Sequence, residues 1–524
     1  MRKKPVRWLG AASSVAAVGL VLGGCRARDP DRPTVLLASG ADLQSINPLV
    51  AVHPLAKQVQ NHVLFMTLAG LDSALQPVPR LATWEWRQAR TGLRLSLRRD
   101  VRWHDGVPTT AADVVWTLER ARDPAVAYPR AGDLRRLVSV TAIDSFTVDL
   151  RFDGAQPVFP DVLTDLALLP SHLLADLAPE RLRDAPFNRA PVGNGPFEFV
   201  AYRPNQRWEF RRHEGFPAAL GRPGIEGLVV VVVDEPATKL AALTSGELDF
   251  AGISPAHAEF VRDNPSLRVV DYPIALTYGV VFNLRRPPFA DARVRRALSR
   301  AIDRQRIVDG YLYGFGTPAG GPVHPDHPWY VATDAVTYAP AEAMALLDAA
   351  GWAVGPDGRR GLTFDLLTVG SGDLALEQML EAQWRAIGVQ ARIRRVELAT
   401  FLAMAQGSAR DFDALVTGIP GAFSLGHVAA LYGGEGPLAY AGYATPELRA
   451  ALDLVQRATV ERELAQAWRD VQALIVRDEP TAWLYHARGV QGASRRIAGV
   501  RMDLRGELAG IADWHIVSAD RGAQ

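Results

Sequence analysis

The chain has 524 residues, room for two to four domains at roughly 100–200 residues each. Apolar residues make up 48% and charged residues 22%, which excludes a disordered chain. Lys+Arg 58 against Asp+Glu 57 leaves +1, so no basic excess is available to hold a nucleic acid, and one cysteine excludes a disulfide framework or a multi-cysteine metal site.

The first 25 residues carry a compartment signal. Arg2, Lys3, Lys4 and Arg7 precede an uncharged apolar stretch from Trp8 to Leu22. It is shorter than the roughly 20 residues of a membrane-spanning helix and ends in small residues, as an export signal does. The ending Leu22-Gly23-Gly24-Cys25 resembles the bacterial lipobox, in which the cysteine is lipidated and becomes the first mature residue. Residues 1–24 therefore read as a lipoprotein signal peptide and Cys25 as the lipidation site. The alternative is an ordinary cleaved signal with an incidental cysteine. Cleavage removes four positive charges and no acid, which turns +1 into −3.

In chain order, Thr34–Ala38 predicts a strand, and Leu93–Leu97 alternates as a half-buried strand should. Thr110 to Arg122 predicts a helix, with Thr110 as cap, Asp113 three residues later, and Val114, Leu118 and Ala121 on one face. Gly227–Asp234 predicts a buried strand and Pro236–Ser245 a helix. Asp291–Val308 predicts one amphipathic helix on Val294, Leu298 and Ile302, with Arg293, Arg295, Arg296 and Arg300 on its solvated face. Helices over Ala339–Ala350, stopped by Gly351, and Leu374–Ile387 precede a strand over Val389–Arg395. This alternation gives an α/β class with mixed sheets, without repeats or a low-complexity linker.

Several ordered blocks carry a family resemblance. They are Leu81-Ala82-Thr83-Trp84-Glu85, the run Leu93 to Pro108 containing Trp103-His104-Asp105-Gly106, and Ala112-Asp113-Val114-Val115-Trp116-Thr117-Leu118-Glu119-Arg120. Pro191-Val192-Gly193-Asn194-Gly195-Pro196-Phe197, Phe282-Asn283, Pro287 to Leu298, Ala301-Ile302-Asp303-Arg304, Leu346 to Trp352 and Tyr443 to Leu448 follow. Together they resemble the peptide-type (family 5) extracellular solute-binding proteins, the dipeptide, oligopeptide and nickel receptors of ABC importers.

Most of these blocks read as scaffold. His104 beside the Asp105-Gly106 turn reads as solvent-facing or turn-satisfied, and Gly193-Asn194-Gly195-Pro196 as a tight turn, since Pro196 deletes an amide that a phosphate cradle needs. His324 and His327 read as loop residues before they read as metal ligands. There is no Gly-x-Ser-x-Gly elbow and no His-Glu-x-x-His, so no enzyme signature motivates a reaction.

The resemblance implies a bilobed periplasmic-binding-protein class II fold with an additional domain and mixed sheets joined by two hinge segments, near Tyr272–Val281 and Trp483–Gly492. Residues 25–57, 190–271 and 490–524 would form a discontinuous lobe I, residues 58–189 the additional domain and residues 272–489 lobe II. It also implies ligand capture by hinge closure and delivery to an ABC permease with its ATPase subunits. The chain would be an exported, lipid-anchored envelope monomer with no cofactor, no metal and no nucleic-acid partner. A receptor or chaperone-like role on the same fold is the alternative. The family's cleft regions fall here on Val52 and His53, on Tyr128, and on Gly418, Ile419, Ala422 and Phe423. Each of these is equally a candidate for lobe packing. Peptide-binding members carry an aspartate in the last stretch, where this chain has Ala422. With no acid between Asp413 and Glu435, a buried ammonium would lack its partner there, so free-amino peptides are expected to bind poorly. The solute class stays open among peptide, oligosaccharide, opine and metal chelate.

Overall fold

The computed structural model describes residues 33–51, 53–332, 337–370, 374–407, 409–420, 425–432 and 438–517. Its apolar runs become the strands of an 11-stranded sheet: β1 (Thr34–Ser39), β2 (Phe197–Arg203), β3 (Arg207–Arg212), β4 (Gly227–Val232), β5 (Phe250–Gly252), β6 (Leu267–Phe282), β7 (Gly316–Pro318), β8 (Thr363–Val369), β9 (Gln390–Val396), β10 (Ala414–Pro420) and β11 (Thr481–Ser494). The spatial order is β9-β8-β10-β6-β11-β5-β1-β4-β3-β2, with β7 also pairing on β11. β1 runs parallel to β4 from Thr34 opposite Gly227 to Ser39 opposite Val232. β8 runs parallel to both β9 and β10.

Two strands carry the connection between the halves of this sheet. β6 has 16 residues and β11 has 14, each about 45–55 Å long when extended, far beyond the usual strand. Leu267–Pro273 pairs with Ser494–Arg488, on the side where β11 also meets β5. Thr277–Val281 pairs with His486–Thr481, on the side where β6 meets β10. The register shifts between Pro273 and Thr277. Proline has no amide to give the ladder, so a bulge there relieves the pairing and bends the ribbon. This is the bilobed α/β arrangement: the pair of long strands crosses between separately built cores on either side.

One core gathers Val35, Leu37, Phe65, Trp103, Trp208, Phe250 and Trp514, and it runs on into an antiparallel sheet of Ala82–Arg87, Gly92–Leu97, Thr147–Phe152 and Leu137–Asp144. The helix Ala111–Arg122 is part of this body, with Val114, Leu118 and Ala121 buried. Asp113 takes the amide of Thr110 at 2.9 Å, the reciprocal cap its spacing predicts. Across the long strands lie two further cores, one on Phe282, Phe289, Phe364 and Trp384, the other on Leu415, Ile419, Trp468 and Trp483.

The structure corrects the reading of Asp291–Val308. Two helices, Ala292–Arg300 and Arg304–Gly310, replace one, because the Asp303 side chain accepts the amide of Arg306 at 3.0 Å and starts a new helix. Arg295 is also not on a solvated face. It is 4% exposed and donates to the carbonyls of Phe289, Ala290, Asp478 and Glu479. The last two close the helix Glu461–Asp478, whose terminal carbonyls and dipole favour a cation.

Candidate functional site

The chain leaves β1 through a loop fixed by Asn47. Its Oδ1 accepts the amide of Leu49 at 2.9 Å and its Nδ2 donates to Asn188 Oδ1 at 2.8 Å. The loop delivers His53 to the N-terminus of the short helix Pro54–Val59. His53 is half-buried, its Nδ1 has no hydrogen-bond partner, and burial holds its pKa below the ordinary imidazole value against the pull of Asp42. The helix runs into a π-turn over Gln60–Leu64, where both side-chain polar atoms of Gln60 are buried and unpartnered.

Lys57 lies four residues after His53, on the same helix face. It anchors a cluster that sequence reasoning missed. Its Nζ lies 3.0 Å from Asp165 Oδ2 and donates to the Asp165 carbonyl at 3.2 Å. Arg130 Nη1 reaches the same carboxylate at 2.8 Å, and Arg130 Nε donates to Asp133 Oδ2 at 2.7 Å. Tyr128 stands beside them, 5% exposed, its hydroxyl unpartnered and its pKa pushed up by burial and by Asp165. Asp161 belongs to the cluster through its interactions with Arg130, Asp133 and Asp165. The one signal in the sequence was proximity: Arg130 and Asp133 follow Tyr128 closely, and Asp161 and Asp165 sit one helical turn apart.

The second lobe meets the segment that carries Asp133. The helix Leu425–Tyr432, which follows β10, comes against the turn Ala131–Leu134. Arg136 Nη1 donates across to the carbonyl of Gln456 at 3.0 Å, and Val158 packs on the core around Trp468. In β10, Gly418 stands opposite Tyr278 and Ile419 opposite Thr277. Ile419 is 4% exposed within the Leu415 core, so its side chain packs the lobe. The structure thus links the helix bearing His53 to Tyr128, and it sets Gly418 and Ile419 in the opposing lobe. Val52, Ala422, Phe423 and Cys25 lie outside the described residues.

The crossing strands add a second polar group. Gln491 Nε2 donates to Glu507 Oε2 at 2.7 Å, and Tyr272 is hydrogen-bonded to both. Burial pushes the Glu507 carboxyl up to about 7, and the Tyr272 hydrogen bond pulls it partly back. The Glu507 loop reaches the first helix through Gln58 Nε2, which donates to the Arg505 carbonyl at 2.8 Å.

Two scaffold readings can be placed. His104 Nδ1 accepts the Gly193 amide at 3.2 Å and its Nε2 lies 3.1 Å from the Gly195 carbonyl, so this histidine is satisfied by the glycine turn. A β-carbon on Gly193 would come 1.9 Å from the Leu64 carbonyl oxygen, which explains the glycine. His324 Nδ1 accepts the amide of Asp326 and His327 Nδ1 that of Trp329, each at 3.1 Å. Among the described residues no group of three or more metal-ligating side chains is assembled.

The sequence model of the bacterial extracellular solute-binding proteins, family 5 (middle region), matches residues 76–431. The chain belongs to this family. Family 5 is one of solute-binding proteins, not of enzymes. Among its relatives, the oligopeptide-binding protein AppA of Bacillus subtilis is 24% identical over 442 residues, 80% of each chain. The glutathione-binding protein GsiB of Salmonella choleraesuis is 27% identical, over 76% of this chain and 75% of its own. Brucella relatives named for peptide binding in ABC transport reach 30%, over 61% of this chain and 60% of their own length. Solved structures share the fold. AppA of Bacillus subtilis in complex with a nonapeptide superposes with a TM-score of 0.79 at 22% identity, covering 93% of this chain and 99% of that one. NikZ of Campylobacter jejuni in complex with Ni(L-His) gives 0.81 at 22% identity, covering 92% and 99%. The two-lobed family fold expected from the sequence is therefore present in this chain.

Proposed function

We propose that this chain captures a small solute between its two lobes and delivers it to an ABC permease driven by its ATPase subunits. The observation that carries the reading is the polar cluster of Lys57, Tyr128, Arg130, Asp133, Asp161 and Asp165, facing a second lobe joined only through β6 and β11 among the described strands. Differential affinity for the closed arrangement of the lobes gives capture. The relatives' names supply the solute class, a peptide or a compact chelate of similar size. The division into lobe I (25–57, 190–271, 490–524), additional domain (58–189) and lobe II (272–489) is part of the proposal. So are export, lipid anchoring through Cys25, and action as a monomer.

Native mass spectrometry of the full chain purified from its own envelope tests this reading. One small molecule bound per chain supports it. A chain that carries none, and that binds no member of a di- to pentapeptide set, contradicts it.

A further inference from the structure

The additional domain and lobe I share one core, and the second lobe has cores of its own. Val148 and Leu150 of the antiparallel sheet pack in the same cluster as Val35, Leu37 and Trp514, whereas Phe364, Trp384 and Trp468 belong to separate clusters. Turning about β6 and β11 therefore carries the additional domain along with lobe I. A side chain that bridges the additional domain to the second lobe must let go when the lobes part.

Arg136 is such a side chain, and its own domain prepares it to reach across. The Asp153 amide donates to the Arg136 carbonyl at 3.0 Å, one step beyond the strand pair Leu137–Phe152. The guanidinium is then held on its own side twice: Nε donates to Asp153 Oδ1 at 3.0 Å, and Nη2 to the Ala155 carbonyl at 3.4 Å. Between these anchors stands Gly154, where a β-carbon would come within 2.6 Å of Nη2. The glycine thus leaves the space in which the guanidinium lies. Nη1 donates across to the Gln456 carbonyl at 3.0 Å.

The acceptor suits a cation. Gln456 sits in the last turn of the helix Pro446–Arg457, where carbonyls lack an amide further along the helix and the dipole is negative. The arginine side chain is 22% exposed and already fixed by a carboxylate, so it loses little freedom on meeting that carbonyl. Apolar contact accompanies the bridge. Val158 packs on the core around Trp468, and the turn Ala131–Leu134 meets the helix Leu425–Tyr432.

We propose that Arg136 is a latch between the additional domain and the second lobe: it holds the lobes together and slows the escape of a captured solute that it does not itself touch. Arg136 is in this sense a positioning residue, acting through the helix Pro446–Arg457. The latch rests on the reading that a solute is taken up between the lobes.

The test follows two quantities in the full chain as purified. One is the distance between the two bodies, read by double electron–electron resonance from spin labels at Ser145→Cys and Ala353→Cys, both exposed positions, in a Cys25→Ser background. The other is the rate at which the co-purifying small molecule is lost on dilution, read by native mass spectrometry. The latch predicts that Arg136→Ala lengthens the distance distribution and speeds the loss about tenfold, the usual scale for a hydrogen bond to a charged group. Gly154→Ala keeps the arginine but displaces its guanidinium, and it should move both readings in the same direction. Arg136→Lys keeps a cation within reach of the helix end and should retain most of the closed population. An unchanged distribution in either Arg136→Ala or Gly154→Ala overturns the latch, and a molecule that still co-purifies then leaves the solute reading standing. A lengthened distribution with an unchanged rate of loss overturns the claim that the bridge retains solute. A distribution that lengthens in a chain carrying no molecule supports the latch and counts against the solute reading.

Discussion

The Tyr272 ring occupies the space that a β-carbon on Gly489 would fill, at the point where the two long strands face each other between the lobes. These residues are register partners in β6 and β11, and an added Cβ would meet the ring at 2.3 Å. The ring can therefore lie over the neighbouring strand and reach Gln491 and Glu507 with its hydroxyl. Gly489→Ala should displace it and cost roughly 1–3 kcal/mol, the usual penalty of overpacking. Chemical denaturation reads this directly, and an unchanged midpoint would refute the packing account.

Glu507 should make stability depend on pH. The folded protein holds its proton up to about pH 7, while the unfolded chain releases it near 4.5. Stability from this group is therefore complete below pH 4.5 and is lost as pH rises toward 7, by up to about 3 kcal/mol. Glu507→Gln should flatten the curve in that window. A slope that survives the substitution would assign it to another group.

Asp249 and Arg496 form a buried pair, with side chains 1% and 7% exposed and Arg496 Nε 2.6 Å from Asp249 Oδ1. Asp249 Oδ2 also accepts the amide of Leu36 at 2.9 Å, and Arg496 Nη2 donates to the Thr34 carbonyl at 2.8 Å. The pair thus ties the start of β1 to the chain just after β11. Asp249→Ala leaves a buried guanidinium without its counter-charge and should cost about 3–5 kcal/mol. A loss below 1 kcal/mol in urea denaturation would contradict it.

The strands and helices were legible wherever one face is apolar and the period is regular. β1, the Ala111–Arg122 helix and its Thr110–Asp113 cap all follow from spacing alone. What spacing misses is the side chain whose partner is far away in the chain. Arg295 reads as one more arginine of a solvated face until the end of the Glu461–Asp478 helix, some 180 residues on, brings carbonyls to it. The break at Asp303 was hidden because Val294, Leu298 and Ile302 keep helical spacing up to the break. The Lys57, Arg130, Asp133 and Asp165 cluster carried no motif, because its members come from three separate stretches of the chain. Ile419 shows the converse: a residue aligned with a cleft region has its side chain in the core.

Anchoring through Cys25 predicts that Cys25→Ser moves the chain from the membrane to the soluble fraction and abolishes incorporation of labelled lipid. Unchanged partition with retained label would refute it.

The central claim, capture of a solute for import, is tested most directly by following what cells remove from a defined medium. The bacterium that makes this protein and a strain lacking only this chain should be grown side by side, with the medium profiled by mass spectrometry. The account predicts that one class of small solutes persists in the medium of the deletion strain and is again consumed when the gene is restored. Identical depletion of every solute by the two strains would contradict it.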